Sequence, residues 1–572
     1  MRDPGSDMKK PEAVIQHVLQ ERPEPTVALN PLTGLHLDDV KEIFSRTALQ
    51  GARQPLILAK HAANHSRKLV DILARKSDLV PEKSDPRFRD DTWRNNGGYL
   101  RLMQSYLAMN ESLQEWVDDL DLGTVDRLRA DFLLRIIGDS IAPTNTLLGN
   151  PEALRKACET RGRSLLQGTK NLLADVRDNH GIPSQVKGDS FVLGENIATS
   201  AGAVVLRNEV LELIQYVPTT AQVHRRPMLM VSAMINKFYA LDLTPQKSFI
   251  KFCVDNGLQV FVVSWANPQM ENADWGIEKY ALAVMEAITA VKSITRCKDL
   301  NLFSLCSGAM MTSAMAACLK ARGDNSIHSM TIGVCMLEMQ QHDMEMSAFA
   351  SPEVFDRVKQ RSKKAGVLRG HELALSMLWL RPRDLIWSNV VNNYLLGNEP
   401  PEFDLLYWNN DWTNLPSQLH ADVIDMFSTA CLSMPGEMRI DGTALDLQAL
   451  DCDKFFLGGL SDHITPWKAC YRSAGAFGGN KEFLLSNSGH MQTMLNSPKK
   501  KNASFFINKA LPGEAETWLE QAELQQGSWW LYWGDWVQSR SLAKKKAPLR
   551  LGNKAYPAGV AAPGEYVYQQ SE

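Results

Sequence analysis

From about Gly188 onward, the chain sets short apolar runs against longer helical patterns. "AVVLR", "LELIQY", "MLMVS", "QVFVVSW", "LNLFSL", "MTIGVCM", "KFFLGG" and "EFLLSN" are rich in Val, Leu, Ile and Phe. Between many of them lie "PQKSFIKFCVDNG", "GIEKYALAVMEAITAVKSI" and "SGAMMTSAMAACLKARG", with helical spacing of apolar residues. Strands alternating with helices need crossover connections, so the pattern predicts an α/β fold with a mainly parallel sheet. The first two runs are joined too tightly for a crossover and predict an antiparallel hairpin.

The sequence before this region reads differently. "SRKLVDILARK", "YLRLMQSYLAMNESLQEWVDDL" and "TVDRLRADFLLRIIGDSI" place apolar residues at i, i+3, i+4 and i+7 with no competing alternation. Residues 1–185 are therefore expected to form a helical domain, and 186–572 an α/β catalytic domain. The alternation pauses between about 340 and 450, in a Met- and Trp-rich, mostly helical stretch. An insertion there, at the carboxyl end of a sheet strand, is placed to form a lid over a ligand crevice. The tail after 544, "KKKAPLRLGNKAYPAGVAAPGEYVYQQSE", has loop composition and is expected to be exposed.

A chain of 572 residues exceeds what one simple core organises. A net charge of −3 gives no electrostatic footprint for nucleic acid. Nine scattered cysteines with no CxxC pair argue for free thiols in a reducing compartment. "MRDPGSDMKKPEAVIQ" lacks the apolar segment of a secretory signal, and no window has the length of a transmembrane segment. A cytoplasmic protein is expected.

The stretch "LNLFSLCSGAMMTSAMAAC" carries the chemistry. Strand-formers give way at Cys306 to small helix-formers. Ser304–Gly308 has the frame of the G-x-S-x-G elbow, with cysteine as nucleophile and serine at the first glycine. Asp462 follows the "KFFLGG" strand in "SDHITPW", and His490 follows the "EFLLSN" strand in "NSGHMQT". Nucleophile, acid and histidine in that order, each just past a strand end, is the arrangement of α/β-hydrolases. The oxyanion donors should be backbone N–H groups: Ser307, and the loop after "MLMVS", at Ile235 and Asn236. Trp265, His463 and Trp467 are candidates for the pocket wall. Met310, Met311, Met336 and Met339 fit either an acyl pocket or, more simply, the core. The cluster Trp529, Trp530, Trp533 and Trp536 fits core closure better than anchoring at an apolar boundary. A cysteine nucleophile trades one thioester for another and keeps the acyl group activated, which favours acyl transfer over hydrolysis.

"LNLFSLCSGA", "INKFYALDLTP", "VFVVSWANP", "YWNNDWTNLP", "SDHITPWKACYRSA" and "LSNSGHMQTMLNSP" together resemble the polyhydroxyalkanoate synthases, most like the class II, medium-chain type. The likeness runs from about residue 28 to about 570. It implies an α/β-hydrolase core that polymerises (R)-3-hydroxyacyl-CoA into polyester and releases CoA, with no metal and no bound cofactor. It implies Cys306 as the acylated nucleophile, His490 as base and Asp462 as its support. The implied partners are the growing polyester chain, the granule surface, granule-associated proteins and a second synthase in a homodimer or heterodimer. The family typically has Gly where Ser304 and Ala309 stand, and prolines where Ser232 and Ala233 stand. A cysteine thioesterase or depolymerase on the same fold, or a weakly active paralogue bound to granules, are the alternative readings.

Overall fold

The computed structural model describes residues 37–83, 85–338 and 352–571. It divides into two compact units. One comprises the described residues of 33–188 together with 375–403; the other comprises 189–374 and 404–571.

The first unit is helical: α1 Leu37–Arg53, α2 Pro55–Leu73, α3 Gly97–Asp119, α4 Thr124–Ser140, α5 Pro151–Glu159 and α6 Arg163–Asp178. Asn96 caps α3 through its side chain, and Asn150 caps α5, which carries Pro151 in its first turn. Lys68 of α2 reaches Glu111 and Glu115 of α3 at 2.9 and 3.0 Å. The expected insertion at 340–450 is not one layer. Its 375–403 stretch packs on α6, where Asn171 Nδ2 donates to Asn393 O and Asn398 O (2.9 and 3.1 Å) and the Tyr394 hydroxyl donates to Asp175 (2.7 Å). Sequence position could not show this, because the partners lie more than 200 residues apart.

The second unit is built on a ten-stranded sheet. In chain order its strands are β1 Gly202–Arg207, β2 Leu211–Tyr216, β3 Met228–Val231, β4 Val260–Trp265, β5 Leu300–Leu305, β6 Ile327–Gly333, β7 Asp453–Gly459, β8 Lys481–Ser486, β9 Ser504–Asn508 and β10 Glu523–Gln526. Their spatial order is β1-β2-β4-β3-β5-β6-β7-β8-β9-β10. The six central strands, β4 through β8, are parallel. Both edges are antiparallel, β1–β2–β4 on one side and β8–β9–β10 on the other. All eight apolar runs form strands, and the hairpin is present; β9 and β10 come in addition. Every residue of β5 is buried, as a strand covered on both faces requires.

Helices α7 Ile277–Thr295 and α8 Cys306–Ala321 cover the sheet, and α9 Ser417–Thr429 from the insertion packs on α7. Residues Ser307 to Leu319 of α8 are all buried, which only a run of small and slender side chains permits. Trp529, Trp530, Trp533 and Trp536 of helix Trp529–Ser539 are all buried, so the cluster closes a core. Met310, Met311 and Met336 are core residues; Met339 lies outside the described residues.

The tail is not the exposed loop its composition suggested. Lys544–Lys546 pairs antiparallel with Gln222–His224. Val567 is buried, and the buried Glu212 carboxylate accepts from the N–H groups of Glu565 and Tyr566 (2.9 and 3.0 Å). Loop composition hides such backbone anchoring. No helix among the described residues is long and apolar enough to cross a membrane.

Candidate active site

Strand β5 delivers Cys306 to the start of α8. Cys306 has φ +48, the left-handed conformation that a sharp strand-to-helix elbow imposes and that non-glycine residues rarely adopt. Gly308 is required there: a Cβ at that position would lie 2.2 Å from Ser232 O. Ser304 is fully buried, its hydroxyl 3.3 Å from Thr331 O, so serine serves where a glycine frames the usual elbow. Leu305 pairs with Gly333, so Val334, the residue that follows β6, stands beside Cys306 in the cavity wall. Val334 also has positive φ (+44), an unfavourable conformation for a β-branched side chain. Two neighbouring strands thus end in strained residues at the same cavity, a feature with no signature in the sequence.

His490 opens the short helix His490–Met494 after β8, and Asp462 lies in the loop after β7. His490 Nδ1 is 2.7 Å from Asp462 Oδ2, and both side chains are buried. Asp462 Oδ1 accepts from the N–H groups of Ile464 and Thr465, each at 2.9 Å. The Thr465 hydroxyl donates to Asp462 Oδ2 at 2.9 Å and lies 3.1 Å from His490 Nδ1. Thr465 was not singled out from the sequence; its place three residues after the acid in "SDHIT" was the only signal available.

Burial alone would raise the Asp462 pKa, but the His490 ring and the donors from Thr465 and Ile464 hold it below its ordinary value. Burial alone would lower the His490 pKa. The Asp462 carboxylate and its hydrogen bond to the ring outweigh that and, with the Cys306 thiol nearby, raise it. An imidazole with a carboxylate behind it and a thiol in front can take and return the proton of a nucleophile.

Cys306 and His490 line one cavity of about 40 Å³. Its other walls are Ser232, Ala233, Asn236 and Lys237 from the loop after β3, Ala240, Leu241, Leu305, Val334, Trp408, Met491 and Met494. That volume suits only a few waters. Trp408 comes from the insertion. Its indole N–H donates to Lys237 O (2.7 Å), and Asn236 forms an isolated antiparallel bridge with Trp412. Lys237, buried, pairs with Asp411 at 2.7 Å and donates to Val567 O and Gln569 O of the tail. Insertion and tail therefore both hold the loop that faces Cys306.

The remaining expected site residues divide. Asn236 lines the cavity, and Ile235 beside it is buried and not among the lining residues. Ser307 starts α8 beside Cys306, and its hydroxyl accepts the Met234 N–H (3.2 Å), fixing the loop to the elbow. Trp265, His463 and Trp467 are not among the lining residues. Trp265 packs on Tyr280 and donates to Ser232 O (3.3 Å), Trp467 packs on Trp518, and His463 is exposed. Each is close in sequence to a strand end, which does not by itself bring a side chain into the cavity wall. Met491 and Met494 supply the apolar wall instead.

The family described as "Poly-beta-hydroxybutyrate polymerase (PhaC) N-terminus" matches residues 84–253, and the alpha/beta hydrolase fold family matches residues 228–497. "Poly(3-hydroxyalkanoate) polymerase 1" of Ectopseudomonas oleovorans is 45% identical over 96% of this chain and 98% of its own length. "Poly(3-hydroxyalkanoate) polymerase 2" of the same organism is 41% identical over 94% and 96%. "Poly(3-hydroxyalkanoate) polymerase subunit PhaC" of Cupriavidus necator is 36% identical over 86% of this chain and 84% of its own. With an α/β-hydrolase core and near full-length identity of this order, the chain belongs to the poly(3-hydroxyalkanoate) polymerases, a family of acyltransferases.

Proposed function

We propose that this chain polymerises (R)-3-hydroxyacyl-CoA of medium acyl length into polyester, with Cys306 as the covalent carrier. The observation that carries the reading is the His490 ring, hydrogen-bonded to Asp462 at 2.7 Å and lining the same cavity as Cys306. In the first half-reaction His490 takes the Cys306 proton and the sulfur attacks the thioester carbonyl. The carbon–sulfur bond to CoA breaks, and CoA leaves with the proton from His490. The oxyanion is held by the Ser307 N–H at the start of α8 and by the loop through Asn236. Removing one such donor typically costs about 2.7–4 kcal/mol of barrier.

Among the residues lining the cavity Cys306 is the only thiol, so elongation must pass through it again. The 3-hydroxyl of an incoming monomer gives its proton to His490, and its oxygen attacks the Cys306 thioester. The products are the free thiol and a CoA thioester longer by one ester unit. Reacylation of Cys306 by that thioester releases CoA. Asp462 keeps the ring oriented and stabilises its protonated form.

A cavity of about 40 Å³ is smaller than ordinary ligand sites, and Trp408 of the insertion closes part of its wall, which supports a lid role for the insertion. Leu56, Val70 and Leu73 are widely exposed on α2, at 85%, 61% and 69%. That apolar surface supports association of the helical unit with the polyester granule in the cytoplasm, or with granule proteins or a second synthase. Purified protein given (R)-3-hydroxyacyl-CoA of graded length should yield polymer and free CoA. Free hydroxy acid without polymer would establish a thioesterase instead.

A further inference from the structure

Two polar atoms in the cavity wall have no hydrogen-bond partner among the described residues: Ser232 Oγ and Asn236 Nδ2. Their residues are only 5% and 6% exposed. No other residue lining the cavity carries such an atom. Both sit on the loop after β3, whose backbone is otherwise well held: Met234 by Ser307, Asn236 by its bridge to Trp412, and Lys237 by Trp408. A buried donor without a partner is destabilising, and folded proteins rarely keep one without use. Here two are kept on one anchored loop that lines the cavity together with Cys306.

The substrate's own chemistry says which atom they serve. On the reading that Cys306 is acylated by a 3-hydroxyacyl thioester, the carbonyl oxygen goes to backbone donors and the alkyl chain to the apolar walls. The oxygen on C3 has an acceptor for its proton in His490, but its lone pairs have no donor. Asn236 Nδ2 can only donate; Ser232 Oγ can donate or accept. We infer that Asn236 Nδ2 and Ser232 Oγ form the subsite that recognises the C3 oxygen and makes the enzyme select hydroxyacyl over plain acyl thioesters. A site built to hydrogen-bond a substrate hydroxyl rejects the analogue lacking it, because its own polar atoms are then left unpaired.

The test uses two CoA thioesters of equal chain length, one with and one without the C3 hydroxyl. The plain thioester can acylate Cys306 but offers no hydroxyl for elongation. Acylation rates are measured for each as the first burst of CoA and by intact protein mass. The full-length enzyme should prefer the hydroxylated thioester by about tenfold or more. Asn236→Ala should bring the ratio to about one, and Ser232→Ala should reduce it by about threefold. A ratio unchanged in both variants overturns the inference. Should Asn236→Ala lose acylation by both thioesters, the Ser232→Ala ratio alone decides, since that change removes one hydroxyl and nothing else. Failure of both thioesters to acylate the unaltered enzyme would overturn the Cys306 reading along with this one. Unequal rates that the variants leave unequal would overturn this one alone.

Discussion

The two sides of the cavity differ in how their polar atoms are paired. On the side of His490 and Asp462, the carboxylate is served by Ile464, Thr465 and His490, so its hydrogen bonds are complete before any substrate arrives. On the loop side Ser232 Oγ and Asn236 Nδ2 are buried and unpaired among the described residues. The contrast separates two tasks. Proton transfer benefits from groups already fixed in place. Selection benefits from groups whose bonds only the right substrate can complete.

That division is open to attack first at the triad. Cys306→Ala should abolish CoA release from every thioester, a loss of at least about 10⁴-fold, with the fold intact by circular dichroism; retained turnover would move the nucleophile elsewhere. His490→Ala should cost about 10²–10⁴-fold and should do so equally for hydroxylated and plain thioesters. A loss confined to the hydroxylated substrate would mean that His490 serves recognition rather than the relay.

Asp462→Asn should cost less than His490→Ala if the carboxylate acts by orientation and charge. It also has a pH signature. The carboxylate raises the His490 pKa against burial, so without it the ring's titration moves to lower pH. The linked stability follows the same sign. A raised folded pKa contributes stability below the unfolded value and loses it as pH rises through the folded one. The Tm gap between the unaltered protein and Asp462→Asn should therefore narrow in alkali; a gap that widened would contradict the ion-pair account. Smallest is Thr465→Val, which keeps the volume and removes the hydroxyl shared by Asp462 and His490. A fall of about three- to tenfold in rate is expected, recovered by Thr465→Ser, with no change in the preference for the C3 hydroxyl.

Cys306, Asp462 and His490 could be found in the sequence because each follows an apolar strand directly, and strand ends are where such sheets keep their chemistry. The parallel centre of the sheet was legible for the same reason: every crossover leaves a helical pattern between two apolar runs. β9 and β10 were missed because both are short and β10, Glu523–Gln526, carries a single apolar residue, Leu524, at the edge of the sheet. Trp265, His463 and Trp467 lie near strand ends but are not among the residues lining the cavity, and one-dimensional proximity does not encode which side chains line it. Lys237 and Glu212 were invisible for another reason. Their partners are backbone groups of the tail, more than 300 residues away, and a backbone carbonyl or N–H leaves no mark in composition.

The most direct measurement is peptide-mapping mass spectrometry after brief mixing with an (R)-3-hydroxyacyl-CoA. The account predicts one acyl adduct, on the peptide containing Cys306, absent from Cys306→Ala and slowed in His490→Ala. An adduct on another residue, or polymer formed by Cys306→Ala, would contradict it.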